Sequence, residues 1–169
     1  MMSVNMAPNP EDGFLKDYDA IDGAHTDCFC TDIECLVTLE DFITAFFSTP
    51  IFKLERLLLR IFVGAKTTEE DVAALASGEA SSFATWETEK RNQTQISLAV
   101  HNSPIRTWLK VEPKPETSTT QLYFGSAVLP TLKDHSGRPK LGVFICALMG
   151  FHMLYSRILL WSAKRRLMR

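Results

Sequence analysis

The side chains with the types and spacing for chemistry fall into a few clusters. One is His25-x2-Cys28-x-Cys30-x4-Cys35. Zinc takes Cys and His ligands, but this spacing lacks the paired C-x2-C knuckles of structural zinc sites. Buried single thiols are the simpler reading, and no metal or other cofactor is expected. A second cluster is Asp134-His135, with Ser126 as a distant hydroxyl. A Ser–His–Asp hydrolase needs its members to meet in space. Its nucleophile elbow G-x-S-x-G is missing, because Phe124-Gly125-Ser126-Ala127 lacks the second glycine. A third group is His152, Tyr155 and Arg157, the ionisable side chains of an apolar C-terminal run. His152 and Tyr155 lie near one helical face. They are either a hydrogen-bonded core pair or a polar spot in an apolar cavity, where a histidine can act as acid or base near neutral pH.

Two further residues stand at the border of apolar surfaces. Glu55 flanks the apolar stripe of a predicted helix, either as a salt-bridge partner for a nearby Lys or Arg or as a pocket carboxylate. Arg106 shares one face of a predicted strand with Trp108 and Lys110, with Tyr123 on the next strand. That mixed face is either solvated, with long side chains covering aromatics, or a partner surface. Arg106 reaches an apolar cavity, and an acidic ligand group, only if the face assignment is reversed.

These side chains need elements to hold them. Ser81–Arg91, Gln93–Asn102, Ile105–Glu112 and Thr119–Leu129 have strand composition, punctuated by Asn92, Ser103-Pro104 and Pro113–Ser118. Ile96, Leu98 and Val100 alternate with polar neighbours, as do Ile105, Leu109 and Val111, then Leu122, Phe124 and Val128. Short connections make this an antiparallel meander covered on one face. Phe83 and Trp86 differ in parity, which predicts a bulge between them or a later strand start. Asp27–Ile33 is predicted as an edge strand. Helices are predicted at Leu39–Ser48, capped by Thr38 with Asp41 three residues on, at Ile51–Phe62 with Gly64 beyond, and from a Thr67 or Thr68 cap through Ala76, ended by Gly78. Thr131–Lys140 is turn chemistry.

Leu141–Arg166 can run as one helix of about 39 Å, apolar on all sides. Such a helix is a core element, a membrane span or a surface anchor. A span needs about twenty apolar residues, and Arg157 interrupts the run after Ser156. Surface attachment would use Trp161 and the basic tail on anionic lipid.

The totals bound the class. With 169 residues, 46% hydrophobic and 22% charged, one α+β domain is expected over residues 21–169, behind a mobile lead-in at 1–20. A net charge of −2 argues against general nucleic-acid binding. The charge is uneven: residues 141–169 hold five basic and no acidic side chains, which leaves the preceding residues at −7. Met1–Pro10 is polar and uncharged, without the pattern of an export signal. Reduced thiols and a cytoplasmic location are therefore expected, with membrane association as the alternative.

A strand, three helices, four antiparallel strands and a long C-terminal helix resemble the helix-grip fold of the polyketide-cyclase and START-like superfamily. The segments Phe52-Lys53-Leu54-Glu55-Arg56-Leu57-Leu58, Arg106-Thr107-Trp108-Leu109, Phe124-Gly125-Ser126-Ala127 and His152-Met153-Leu154-Tyr155-Ser156-Arg157 are similar to a bacterial domain-of-unknown-function family. The resemblance implies an antiparallel sheet gripping the last helix, with an apolar cavity between them. The expected function is binding of a small apolar molecule there, with Trp86, Phe124, His152 and Tyr155 as wall residues and Arg106 and Glu55 as polar candidates. The alternatives are a membrane-associated interaction protein, and a cyclase- or dehydratase-type enzyme using His152 with Glu55 or Tyr155. The sequence leaves the oligomeric state open.

Overall fold

The computed structural model describes residues 4–50, 52, 68–133, 135–137, 139–141 and 143–169. The predicted helix at Ile51–Phe62, its Gly64 cap, Glu55 and Asp134 lie outside the described residues, Phe52 excepted. The architecture is α+β. In chain order the elements are β1 Asn5–Met6, α1 Lys16–Asp19, β2 His25–Ile33, α2 Leu39–Phe47, α3 Glu69–Ser77, β3 Ser82–Phe83, β4 Trp86–Arg91, β5 Gln95–Val100, β6 Ile105–Lys114, β7 Thr119–Val128, β8 Leu132–Lys133, β9 Pro139–Lys140 and α4 Val143–Leu167.

Seven strands form one open antiparallel sheet in the order β1-β2-β7-β6-β5-β4-β3. The predicted meander is β4 to β7. The first long strand, β2, pairs along its whole length with the last, β7. It is not the edge: two residues of β1 pair with its other side. The parity conflict at Phe83 and Trp86 is resolved by a tight turn. Ala84 takes a positive φ of 54°, and Phe83 pairs directly with Trp86 across a hairpin. The register irregularity falls later, between Thr88 and Lys90. Inside Thr131–Lys140 a short ribbon, β8 with β9, joins the sheet to α4.

Local chemistry sets the helix ends. Thr38 and Thr68 each cap a helix by accepting from the backbone N–H three residues on, while Asp41 and Asp71 reach back to the cap N–H. Each such cap contributes about 1 kcal/mol. Gly78 closes α3 at φ 87°, a left-handed conformation that glycine adopts without Cβ strain. Arg91 of β4 donates to the last carbonyls of α3, Leu75 O and Ala76 O, and so ties helix to sheet.

The inner face of the sheet carries Phe29, Ile33, Ile96, Leu98, Leu109, Val111, Leu122 and Phe124, packed under α2 and the C-terminal half of α4. Among the described side chains of α4, Ser156, Leu159, Leu160 and Ala163 are buried. No helix among the described residues is long and apolar enough to cross a membrane. The spanning option for the last helix is therefore set aside.

Part of the outer face, around Trp108 and Tyr123, is covered by the chain itself, while its Arg106 end borders an open groove. Residues 7–18 lie across the covered part, so Trp108 is fully buried and packs with Leu15, Cys28, Tyr123 and Ala127. Gln95 fastens this strap. Its amide oxygen accepts from Phe14 N and Trp108 Nε1, both at 2.9 Å, and its nitrogen donates to Asp12 O at 2.9 Å. Lys110, 4% exposed at its side chain, pairs with Asp12. The sequence reading placed residues 1–20 as a lead-in outside the domain. In the structure residues 7–18 complete its second hydrophobic layer.

Candidate functional site

Between the inner sheet face and α4 lies a cavity of about 300 Å³. Its apolar wall comes from Phe46 of α2, Phe52, Trp86 of β4, Val100 of β5, Ile105 of β6, Phe124 of β7 and Leu159 of α4. The aromatic part is one connected cluster: Phe46 lies 4.9 Å from Phe124, and Phe52 lies 5.3 Å from Trp86, centroid to centroid. The polar part is small: Thr85, Thr107, Ser126, His152 and Tyr155. A mainly apolar concavity with a few convergent polar groups is the usual form of a small-molecule site.

The convergence is built by strand register. β2 and β7 pair so that Asp27 stands directly opposite Ser126. Asp27 shares parity with Phe29 and Ile33, so its carboxylate enters the inner face rather than solvent. Its side chain is 4% exposed. Ser126 Oγ donates to Asp27 Oδ2 at 3.0 Å. From above, α4 lowers His152 onto the pair: Nε2 is 3.1 Å from Asp27 Oδ2 and 2.8 Å from Ser126 Oγ. Ser156, one turn on and fully buried, places its hydroxyl 3.4 Å from the same nitrogen.

This arrangement fixes proton positions. The hydroxyl proton of Ser126 points at the carboxylate. A short contact between Nε2 and the carboxylate oxygen needs a hydrogen between them, so Nε2 carries it and shares it with Ser126 Oγ. In the neutral form of the ring the lone pair is then on Nδ1. Serine and aspartate meet the same ring nitrogen, whereas a nucleophile relay needs them on opposite nitrogens. Ser126 is therefore not an activated nucleophile. The cluster can orient a histidine, accept a hydrogen bond at Nδ1 and place negative charge just behind the cavity wall. Asp27 Oδ1 is buried and receives no hydrogen bond among the described residues, and nor does the buried His25 Nε2.

Of the residues expected at a site, Trp86, Phe124, His152 and Tyr155 line this one cavity. Arg106 does not. It stands on the opposite face of β6, 17% exposed, with Nε 2.9 Å from Glu89 Oε1, beside an open groove that includes Glu87 and His101. Glu55 lies outside the described residues. The sequence reading missed Asp27. The signal for it was parity with Phe29 and Ile33; the pairing with Ser126 was hidden by 99 residues of separation.

The cysteine cluster divides between the two faces of β2. Cys28 and Cys30 lie under the strap, and His25 shares the inner parity with Asp27. Among the described residues no group of His, Cys, Asp or Glu is placed to hold a metal ion. Burial, with Cys30 and Asp27 nearby, pushes the Cys28 thiol up to about 12. Burial and the neighbouring Glu112 likewise raise the Tyr123 phenol. The outer face thus offers no ready thiolate or phenolate near neutral pH.

No family model matches the chain, and no curated protein matches it. Among solved structures it is similar to an uncharacterized protein from Bacillus thuringiensis, with 11% identity, 86% of this chain and 100% of the other covered, and a TM-score of 0.43. It is also similar to the protein XoxI from Bacillus cereus, with 12% identity, 87% and 99% covered, and a TM-score of 0.39.

Proposed function

We propose that this chain binds a small, mainly apolar molecule carrying a hydrogen-bond donor, gripped between the inner sheet face and α4 in the helix-grip manner. The observation that carries the reading is the Asp27–Ser126–His152 contact at the wall of the apolar cavity. With Nε2 and the serine proton committed to Asp27, the free position at the wall is an acceptor, His152 Nδ1. The carboxylate behind it favours a hydroxyl or amine and disfavours an anionic ligand. A volume of about 300 Å³ sits at the small end of ligand pockets. With Arg106 on the other face, no Lys or Arg among the described residues lines the cavity.

The test compares 2-naphthol with naphthalene by fluorescence titration. The two share an apolar body and differ by one donor. A single net hydrogen bond contributes about 0.5–1.5 kcal/mol. 2-Naphthol should bind saturably and about three- to tenfold tighter. His152→Phe should abolish the preference and keep naphthalene binding. Saturable binding of neither probe would remove the reading.

A second reading makes His152 a general base on the bound molecule. It rests on the same Asp27 contact, which leaves Nδ1 as the basic nitrogen of an oriented imidazole. Its discriminating residue is Asp27: Asp27→Asn would lower turnover of a substrate far more than its binding. Equal losses in both would return His152 to a binding role.

A further inference from the structure

Helix α4 uses one side for the core, through Ser156, Leu159, Leu160 and Ala163. At 3.6 residues per turn, Phe151, Leu154, Ile158, Trp161 and Arg165 fall on the opposite side. Phe151 is 68% and Leu154 55% exposed, while Ile158 and Trp161 are half-buried. Arg165 lies 4.8 Å over the Trp161 ring, and the two share a surface groove with Arg166 and Arg169. Arg157, Arg165, Arg166 and Arg169 are all exposed.

We propose that this outer face of α4 docks on an anionic lipid bilayer, lying flat, with Phe151 and Leu154 entering the headgroup–acyl boundary and the arginines meeting phosphates. Large apolar side chains one turn apart, an indole beneath a guanidinium and a purely basic C-terminal segment are the parts of an interfacial helix. Phe151 to Arg165 spans about 21 Å along the axis, enough to lie on a bilayer. Charge selects this occupant. Of the five cations in residues 141–169, Arg165, Arg166 and Arg169 share the groove with Trp161, while Arg157 lies over Phe29 and Lys164 donates to Thr31; the segment holds no anion. A second copy would bring the same positive surface against itself, whereas anionic headgroups neutralise it. Phe151 also stacks on Tyr155 at 6.2 Å, so the docked face borders the cavity. Docking does not depend on what the cavity holds.

The test is co-sedimentation of the full chain with phosphatidylcholine vesicles, with and without phosphatidylserine. The chain should pellet with the anionic vesicles and be released by salt. One basic residue near such a surface is worth about fivefold in partitioning, so Arg165→Ala with Arg166→Ala should weaken binding about 25-fold. Phe151→Ser with Leu154→Ser should abolish pelleting while the melting temperature stays unchanged. No pelleting, equal pelleting with neutral vesicles, or full pelleting of the Phe151→Ser/Leu154→Ser variant would overturn the proposal. So would a dimer in light scattering that the same variant dissociates, because it would assign the face to a second copy.

Discussion

Adding one methyl group at Gly125 tests whether the strap is part of the fold. Gly125 lies in β7 between Cys28 of β2 and Trp108 of β6, on the face that the strap covers. A Cβ there would sit 2.5 Å from Leu15 Cδ2, 2.9 Å from the Asp27 carbonyl oxygen and 3.0 Å from Trp108 Cε3. Non-bonded carbons prefer about 3.5–4.0 Å. Leu15 could swing its tip, but it is fully buried. The carbonyl belongs to a paired strand, and Trp108 is held by Gln95. Overpacking of this kind costs about 1–3 kcal/mol. For a chain of this length that lowers the melting temperature by about 2–12 °C. Thermal unfolding followed by circular dichroism measures it. In a Leu15→Ala background the cost of Gly125→Ala should shrink but not vanish, because the carbonyl and indole contacts remain. Limited proteolysis should cut residues 7–18 faster in Gly125→Ala. An unchanged melting temperature with an unchanged cleavage rate would refute the packing argument, and with it the strap as a structural layer.

The strap should also respond to acid. A hydrogen bond from Lys110 holds the Asp12 carboxyl below its ordinary 3.8. A depressed folded value means the contact's stabilisation is present above the ordinary value and is lost as pH falls through the folded one. Hydrogen-exchange protection at residues 13–17, taken relative to the intrinsic rate at each pH, should therefore fall below about pH 4, and Asp12→Asn should flatten that dependence; protection independent of pH in the parent chain would contradict it. Cys28, with its thiol pushed up to about 12, should resist alkylation at neutral pH in the native chain and label in denaturant, by peptide mass mapping. Thr38→Ala removes a cap whose hydroxyl accepts from Asp41 N at 3.1 Å. It should cost about 0.5–2 kcal/mol in urea unfolding, with Thr38→Ser nearly neutral.

What could be read from the sequence was local. Thr38 with Asp41, Thr68 and Gly78 announce helix ends because capping is decided within a few residues. Ile96, Leu98, Leu109, Val111, Leu122 and Phe124 announce an inner face because strand parity is strict. From those faces Trp86, Phe124, His152 and Tyr155 could be placed near one another, and the structure brings all four to one cavity. What escaped depends on distant register. Asp27 meets Ser126 only because β2 pairs with β7. Trp108 and Tyr123 looked like a free surface because nothing in their own strands shows that residues 7–18 return to cover them. Phe83 and Trp86 left a bulge and a misjudged strand start both open, because a two-residue turn through a non-glycine positive φ leaves no compositional mark; the strand starts at Trp86.

The chain has three tryptophans, and the structure puts them in separate environments. Trp86 lines the cavity, Trp108 is sealed under the strap, and Trp161 is half-buried at the edge of the core beside the arginine groove of α4. A ¹H–¹⁵N spectrum of the indole groups during titration with 2-naphthol therefore separates a cavity ligand from any other. Binding in the cavity should give a saturable shift of the Trp86 signal, with Trp108 and Trp161 unmoved. A shift of Trp108 or Trp161 with Trp86 unchanged would contradict it.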